Sequence, residues 1–550
     1  MDKESDFPVD TRHKISGIDI TKKVSDIECT CRQDDEFACK RILPVGTNHH
    51  TVIVYNSCKR TLYAAFKRQL KKVVPPDPQV VIQLQQFMDR YFDTYILPEI
   101  QNFDYSYSEW FNAMPRHKQE AILKVDQEKM DEVVYGLFCK REKQKYGEKN
   151  RAISNISQEV KFIMGPVVSM LEEIADKNFP GYCGKKSWND LEDTYRKNFA
   201  DGYIYVIQGD GSGFDLSQHN ENKHIDFKIY DYLSKNNLIH HVENSLFKKI
   251  SGMKKRKLKA TYTYNGKMFT LASAIVNGTV FSGSSDTTFG NTLRMAIYNM
   301  FTLEKMGLKY EDDYRILCKG DDFMIFVKEL RNYEQHYYKY WSKPIKDPNN
   351  YDYSPFGIGQ ILKFLKVGLY ETIDFCSTIV IPDYKKGIFK IARKPDRVNP
   401  LGHYSRVALQ MSKPELKQYY LDLAMALDIS VPKMPLFNEL SSGYKKQASY
   451  INVTPCRLSQ GRQRLIIPDD GHRCIKERVS PDVLKYQVYG RDFYEGLKQR
   501  QSSLILDENL VYDFLLENYH ISKEDIKQYG LMIQKENMRH IFDPLVDNVG

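Results

Sequence analysis

One short segment constrains the fold more than any other. The runs Arg315–Cys318 and Phe323–Val327 are rich in aliphatic and aromatic residues, and only Lys319-Gly320-Asp321-Asp322 separates them. Two such runs joined by a tight Gly/Asp turn form a β-hairpin. The turn sets two carboxylates side by side at its tip. A Gly-Asp-Asp triplet arises by chance often enough in a chain this long that, taken alone, it marks only a surface turn.

A second pair of carboxylates lies upstream. Tyr203–Gln208 reads as a buried strand, and Asp210-Gly-Ser-Gly-Phe-Asp215 follows it. A strand that ends in Asp and runs on through small residues exposes that carboxylate at a sheet edge. If this strand lies beside the hairpin, Asp210 meets Asp321. Two facing carboxylates with no basic neighbour repel unless divalent cations sit between them. Mg²⁺ suits such a site, because it takes one or two carboxylates and completes its shell with water and phosphate oxygens. Two ions held this way serve phosphoryl transfer.

Between these segments, Ser282-Gly283-Ser-Ser-Asp-Thr287-Thr-Phe-Gly-Asn291 leads into a helix predicted from Thr287 to Met306, with apolar residues at 289, 293, 296, 300 and 303. Thr287 and Asn291 share a helix face and offer a hydroxyl and an amide to a ribose. Taken alone, the pattern is better read as an ordinary Ser/Thr-rich helix start.

Composition narrows the class. The chain has 550 residues, 42% hydrophobic and 27% charged, which implies a cored protein rather than a disordered one. Length alone suggests three or four domains. Lysine and arginine number 80 against 71 acids, a net +9 that leans toward a polyanionic partner. No apolar stretch is long enough to predict a membrane span. The start lacks the layout of a signal peptide, and ten scattered cysteines then read as reduced thiols. Cys29, Cys31, Cys39 and His49-His50 match no standard zinc spacing, so unligated thiols are expected there. Aromatic residues, 38 Tyr among them, fill cores or stack on bases.

Lys59–Lys72 carries apolar residues at helical spacing between basic ones and ends at Pro75-Pro76-Asp77-Pro78. It reads as a solvated helix face, or as a contact to phosphates or a membrane surface. Lys254–Lys259 reads as a template-channel wall, a nuclear-localisation-like run or a solvated basic loop. Ser412-Lys-Pro-Glu415 is a capping box that opens a helix through Leu427. Alternating strands and helices give an α+β class.

The order Asp-x-Ser-x-Phe-Asp, Ser-Gly-x-x-x-Thr-x-x-x-Asn and Gly-Asp-Asp resembles motifs A, B and C of viral RNA-dependent RNA polymerases, of the tombusvirus-like and flavivirus-like positive-strand supergroup. Cys139-Lys140-Arg141-Glu142 with Arg151-Ala-Ile153 resembles motif F, and Tyr370–Ser377 resembles motif E, the primer grip. Ser108-Glu-Trp110-Phe with Pro115-Arg-His-Lys resembles the tombusvirus-like segment ahead of motif F. The likeness spans about residues 105 to 400. Gly278-Thr-Val280-Phe-Ser282-Gly283-Ser284 lacks the Arg and Asp common in tombusvirus-like motif B, which sets the chain apart from close tombusvirids but removes no metal ligand.

The resemblance implies roles. Asp210 and Asp321 hold two Mg²⁺ ions, with Asp322 supporting, and Mn²⁺ can replace Mg²⁺. Asp215 and Asn291, with Ser282 or Thr287, recognise the ribose 2′-OH. Lys140, Arg141 and Arg151 neutralise the triphosphate. Lys363, with Lys366 as alternate, is the motif D lysine that protonates pyrophosphate. The implied fold is a right hand with an antiparallel palm sheet, closed by contacts between fingertips and thumb. Its expected parts are an N-terminal extension and fingertips (1–105), fingers (106–200), palm (201–221), a fingers insertion (222–275), palm (276–384), and a thumb with C-terminal extension (385–550). Template and nascent RNA and NTPs are the implied partners, in the host cytoplasm, with other viral replication proteins supplying any membrane attachment. The rival readings are a reverse transcriptase and an inactive RNA-binding replication protein.

Overall fold

The computed structural model describes residues 8–28, 40–41, 43, 52–53, 58–101, 103–125, 133–140, 144–145, 151–264, 267–398, 403–405, 408, 411–454 and 505–535. The class is α+β. Cys29, Cys31, Cys39, His49, His50 and Arg141 lie outside these residues.

The Gly-Asp-Asp hairpin forms as expected, with strands Tyr314–Lys319 and Asp322–Val327 paired antiparallel from Tyr314↔Val327 to Lys319↔Asp322. Only Gly320 and Asp321 stand between, and Gly320 has φ +66°. A two-residue turn whose first central residue has positive φ is the glycine-first hairpin turn that matches strand twist. Nothing lies within 4 Å of where a Cβ on Gly320 would stand, so its backbone angle, not space, requires glycine.

Strand Tyr205–Gly211 pairs with the hairpin, and strand Leu362–Gly368 pairs with its other edge. The resulting four-stranded sheet has every neighbour antiparallel, in the order 314–319, 322–327, 205–211, 362–368. Asp210 is the penultimate residue of its strand, which is interior because 362–368 covers its other side.

Both faces of this sheet are covered. Ile207, Phe323 and Ile325 face the main core, which includes the helix Thr287–Glu304. Val206, Leu317, Met324 and Phe326 pack in a second core with residues of the helix Trp188–Ala200 and of strands Thr378–Asp383 and Ile388–Arg393. Burial on both sides explains why Phe323–Val327 is apolar throughout rather than alternating.

A five-stranded sheet has the order Lys14–Ser16, Lys267–Asn277, Lys255–Tyr264, Val134–Cys139, Ala152–Ile156. The Lys254–Lys259 run is therefore mostly strand, not a solvated loop. Arg256, Leu258 and Ala260 point inward and are buried, while Lys255 and Lys259 on the opposite face are exposed.

The Lys59–Gln69 helix corrects another expectation. Leu62, Tyr63, Ala65 and Phe66 are fully buried, and Lys67 is itself buried with its Nζ donating to the Lys22 carbonyl. Arg60 Nε donates to the Ile27 carbonyl. The helix is an interior element, with Arg60 and Lys67 capping backbone carbonyls, rather than a solvated face.

The predicted capping box is present at Ser412 and Glu415, and its helix runs Lys413–Ser430. With Phe437–Tyr450, Glu508–Tyr519 and Lys523–Lys535 it builds a separate C-terminal core. Leu43 belongs to that core, and Lys40–Arg41 pairs with Tyr404–Ser405, while Val52–Ile53 pairs with Gln144–Lys145. The N-terminal segment thus ties the C-terminal unit to the strand that follows Lys140. Among the described residues, no helix is long and apolar enough to cross a membrane.

Candidate active site

Strand register brings the carboxylates together. Asp322 lies directly opposite Asp210 on the neighbouring strand, and Asp321 occupies the turn beside them. Gly209 precedes Asp210 where a Cβ would stand 2.5 Å from the Phe323 ring and 2.8 Å from the Phe364 carbonyl oxygen. The central strand therefore needs glycine there to lie between its two partners.

The charges act on one another. Burial, with Asp321 and Asp210 adding repulsion, raises the Asp322 carboxyl to about 7. Asp321 reaches solvent at the turn, yet desolvation by the surrounding protein and the charge of Asp210 raise its pKa as well. Burial raises Asp215 to about 6, against the hydrogen bond it accepts from Asn291. Carboxylates that hinder one another's ionisation create a demand for cations.

The protein supplies part of that demand itself. Lys363 Nζ donates to Asp210 Oδ2 at 2.7 Å. The sheet register shifts between Leu362 and Phe364, so Lys363 is the extra residue of a β-bulge. Bulges re-aim side chains, and this one turns Lys363 toward Asp210. Lys366 lies opposite Gln208, farther along the strand. Of the two lysines considered, Lys363 is the one at the carboxylates. It also shows that Asp210 has a basic neighbour, contrary to the premise of two unpaired carboxylates.

Arg151 follows the same logic from the five-stranded sheet. Its guanidinium is close enough to favour the ionised forms of both Asp215 and Asp321. Lys140 N–H donates to the Arg151 carbonyl at 2.6 Å, which sets these two residues side by side at the strand ends.

The loop before the long helix docks on the five-stranded sheet and on the segment after strand 205–211. At Gly283, a Cβ would stand 2.4 Å from the Ser154 carbonyl oxygen, and Gly283 bridges to Asn155. Ser282 is exposed next to it. Thr287 Oγ1 donates to the carbonyls of Phe281 and Ser284, at 2.6 and 3.0 Å, so that hydroxyl braces the loop. Asn291, one turn on, donates from Nδ2 to Asp215 Oδ1 at 2.5 Å. The structure therefore joins Asn291 to Asp215 and leaves Thr287 bracing the loop.

Three further residues contribute: Thr292 and Lys71, which the motifs do not mark, and Cys376, which lies in the motif E-like segment but has no role implied by it. Thr292 Oγ1 accepts the Gly320 N–H at 2.9 Å and fixes the hairpin turn to the helix. The Cys376 N–H donates to Asp322 Oδ2 at 3.2 Å, from a two-residue turn in which Cys376 and Ser377 both have positive φ. Non-glycine residues held in that region store strain, here beside the carboxylates. Lys71 reaches Gly213, where a Cβ would stand 3.2 Å from its Nζ.

Among the described residues, no three His, Cys, Asp or Glu side chains are placed to hold a metal ion together. The donor set instead fits Mg²⁺, which binds through one or two carboxylates and keeps open positions for water and phosphate. Adjacent carboxylates with raised pKa values are the observation that supports the fit.

Residues 228–381 match the model of a family described as viral RNA-directed RNA-polymerase. That stretch holds the Gly-Asp-Asp hairpin, the helix with Asn291, the bulge lysine and the Cys376 turn. It supports a viral RNA-directed RNA polymerase, a nucleotidyltransferase, over just over a quarter of the chain. Asp210, Asp215, Lys140 and Arg151 lie outside it and rest on their geometry. No curated protein matches the chain.

Proposed function

We propose that this chain is the RNA-dependent RNA polymerase of a positive-strand RNA virus. It adds NMPs from NTPs to the 3′ end of RNA under RNA templating and so copies the viral genome. The observation that carries the reading is the convergence, at one end of an interior sheet, of Asp210, Asp321 and Asp322 with Lys363 and Arg151 facing them.

In this reading the four-stranded sheet is the palm and the five-stranded sheet belongs to the fingers. The C-terminal helices form the thumb, and the N-terminal segment spans fingers and thumb. Asp210 and Asp321 hold two Mg²⁺ ions, with Asp322 supporting. When bound, these ions supply activation of the attacking 3′-oxygen and charge neutralisation at the leaving pyrophosphate. Mn²⁺, a similarly hard cation, substitutes. Arg151 and Lys140 receive the triphosphate, as their position at the strand ends favours. Lys363 is kept protonated by its bond to Asp210, which raises its pKa. On release from Asp210 it carries the proton that pyrophosphate needs. Asp215 and Asn291 meet the ribose 2′-OH and select ribonucleotides.

Purified protein, a homopolymeric RNA with and without primer, and Mg²⁺ or Mn²⁺ test the reading. Template-directed incorporation of rNTPs is expected. A clear preference for dNTPs would indicate a reverse transcriptase instead. Absence of incorporation under every condition, with RNA binding intact, would indicate an inactive RNA-binding protein.

A further inference from the structure

The long helix Thr287–Glu304 is buried along almost its whole length, and its run Leu293-Arg294-Met295-Ala296-Ile297 places one arginine among apolar residues. Arg294 is 1% exposed. A buried guanidinium must be paired, since losing water without replacement costs several kcal/mol. Its partner is Asp226, equally buried, on the helix His224–Lys235. The guanidinium also lies against Gly290, where a Cβ would come within 2.8 Å of Nη1. A larger residue at position 290 would push it away.

Arg294 has a second contact. Its Nη2 donates to Asn291 Oδ1 at 2.7 Å, while Asn291 Nδ2 donates to Asp215 Oδ1. The chemistry of this chain of contacts has one direction. A guanidinium has donors only, so it can meet only the oxygen of the Asn291 amide. With the oxygen held by Arg294, the amide NH₂ must point at Asp215. If the amide flipped, its oxygen would face a carboxylate oxygen and both contacts would be lost.

We infer that Arg294, anchored by Asp226, is a positioning residue that fixes the orientation of the Asn291 amide and thereby sets the ribose selectivity of the Asp215–Asn291 pair. This rests on the polymerase reading above and deepens it. Arg294 does not touch substrate. It determines which way the hydrogen-bonding groups of its neighbour point. Its effect therefore falls on discrimination between nucleotides that differ only in the 2′-OH, rather than on the rate of chemistry common to both.

The test compares incorporation of an rNTP and the matching 2′-dNTP by the wild type and by the double variant Arg294→Met/Asp226→Asn. Removing both charges together avoids leaving one buried and unpaired. The expected result is a fall of roughly tenfold or more in the ratio of kcat/KM for rNTP to that for dNTP, the size of one charge-assisted hydrogen bond. The loss should enter through a raised KM for the rNTP, with dNTP incorporation little changed. Asp226→Asn alone, which keeps Arg294 but removes the charge that anchors it, should lower the ratio less than the double variant does. Thermal melting of each variant checks folding. If the double variant does not melt cooperatively, Arg294→Lys replaces it. A single ammonium cannot span Asp226 and Asn291 as the guanidinium does, so the ratio should again fall. A ratio equal to wild type in a folded variant overturns the proposal alone. A wild-type protein that incorporates neither nucleotide overturns the polymerase reading, and this proposal with it.

Discussion

The two sheets that meet at the site handle charge in opposite ways. The four-stranded sheet gathers Asp210, Asp321 and Asp322 at one end, close enough that Asp210 hinders the ionisation of Asp321 and both hinder that of Asp322. The five-stranded sheet spreads its cations over an outward face. Lys255, Lys257 and Lys259 alternate along one strand, with Lys257 and Lys259 in register with Val134 and Gly136 on the next. Lys140 and Arg151 stand at the end of that face nearest the carboxylates. Concentrated like charge in a partly desolvated cleft is costly and serves a small, strong counter-ion. Dispersed charge on a solvated sheet costs little and serves an extended polyanion. The first arrangement fits chemistry at one point, and the second fits holding a strand.

Substitutions on the two sheets should separate these roles. Asp321→Ala should reduce template-directed synthesis on the order of a thousandfold or more while RNA binding persists. Unchanged synthesis in that variant would remove Asp321 from the proposed metal site. Arg151 sits where the two sheets meet, so its loss should be intermediate. Arg151→Ala should raise the KM for NTPs by roughly ten- to a hundredfold, the scale of a charge-assisted phosphate contact. A change confined to RNA affinity would assign Arg151 to the strand-holding face instead. Replacing Lys255, Lys257 and Lys259 by Ala together should weaken RNA binding alike for all sequences and lower the salt dependence by about two counterions, as expected for single strands. A fall in kcat with RNA affinity preserved would show that the cationic face acts on the chemistry after all.

How much of this was readable in the sequence follows from the range of the interactions concerned. The hairpin lies within one residue at each end of the runs around Gly320, because strand pattern and turn chemistry are local. The long helix begins at Thr287 as its apolar spacing requires, and the 412–415 capping box opens its helix, for the same reason. The bulge that aims Lys363 has no sequence marker, since it depends on how 362–368 meets 205–211. The burial of the basic helix at 59–69 is not legible in the sequence, because Arg60 and Lys67 find carbonyls at Ile27 and Lys22, far off in the chain. The basic strand hid its alternation behind four consecutive charges at 254–257. Arg294 did leave a clue: a lone cation in an apolar helical run must have a partner, though not one the sequence can name.

Acid should part the two sheets as well. The edge strand Lys14–Ser16 of the five-stranded sheet is flanked by His13, whose Nδ1 accepts the Asn277 N–H at 3.4 Å. Nearby, His219 receives Arg12 Nη1 at Nδ1 and so must carry its proton on Nε2, which donates to the Val74 carbonyl at 3.1 Å. Burial, the largest influence on each, lowers both imidazoles to about 4, with Arg12 adding repulsion and Asp10 opposing it. The unfolded chain takes up these protons near pH 6.5, and the folded chain does so only near pH 4. The stabilisation is therefore complete above about pH 6.5 and is lost as pH falls toward 4. At pH 5 each histidine should withdraw roughly 1–2 kcal/mol from the local structure. The carboxylate sheet responds in the other direction, because protonation relieves its repulsion. Hydrogen exchange at pH 7 and pH 5, corrected for intrinsic rates, should show protection lost first at residues 10–16 and 273–277 and retained at 205–211 and 322–327. Protection lost equally in both sets would mean that the sheets open as one unit, and that their opposite handling of charge has no bearing on stability.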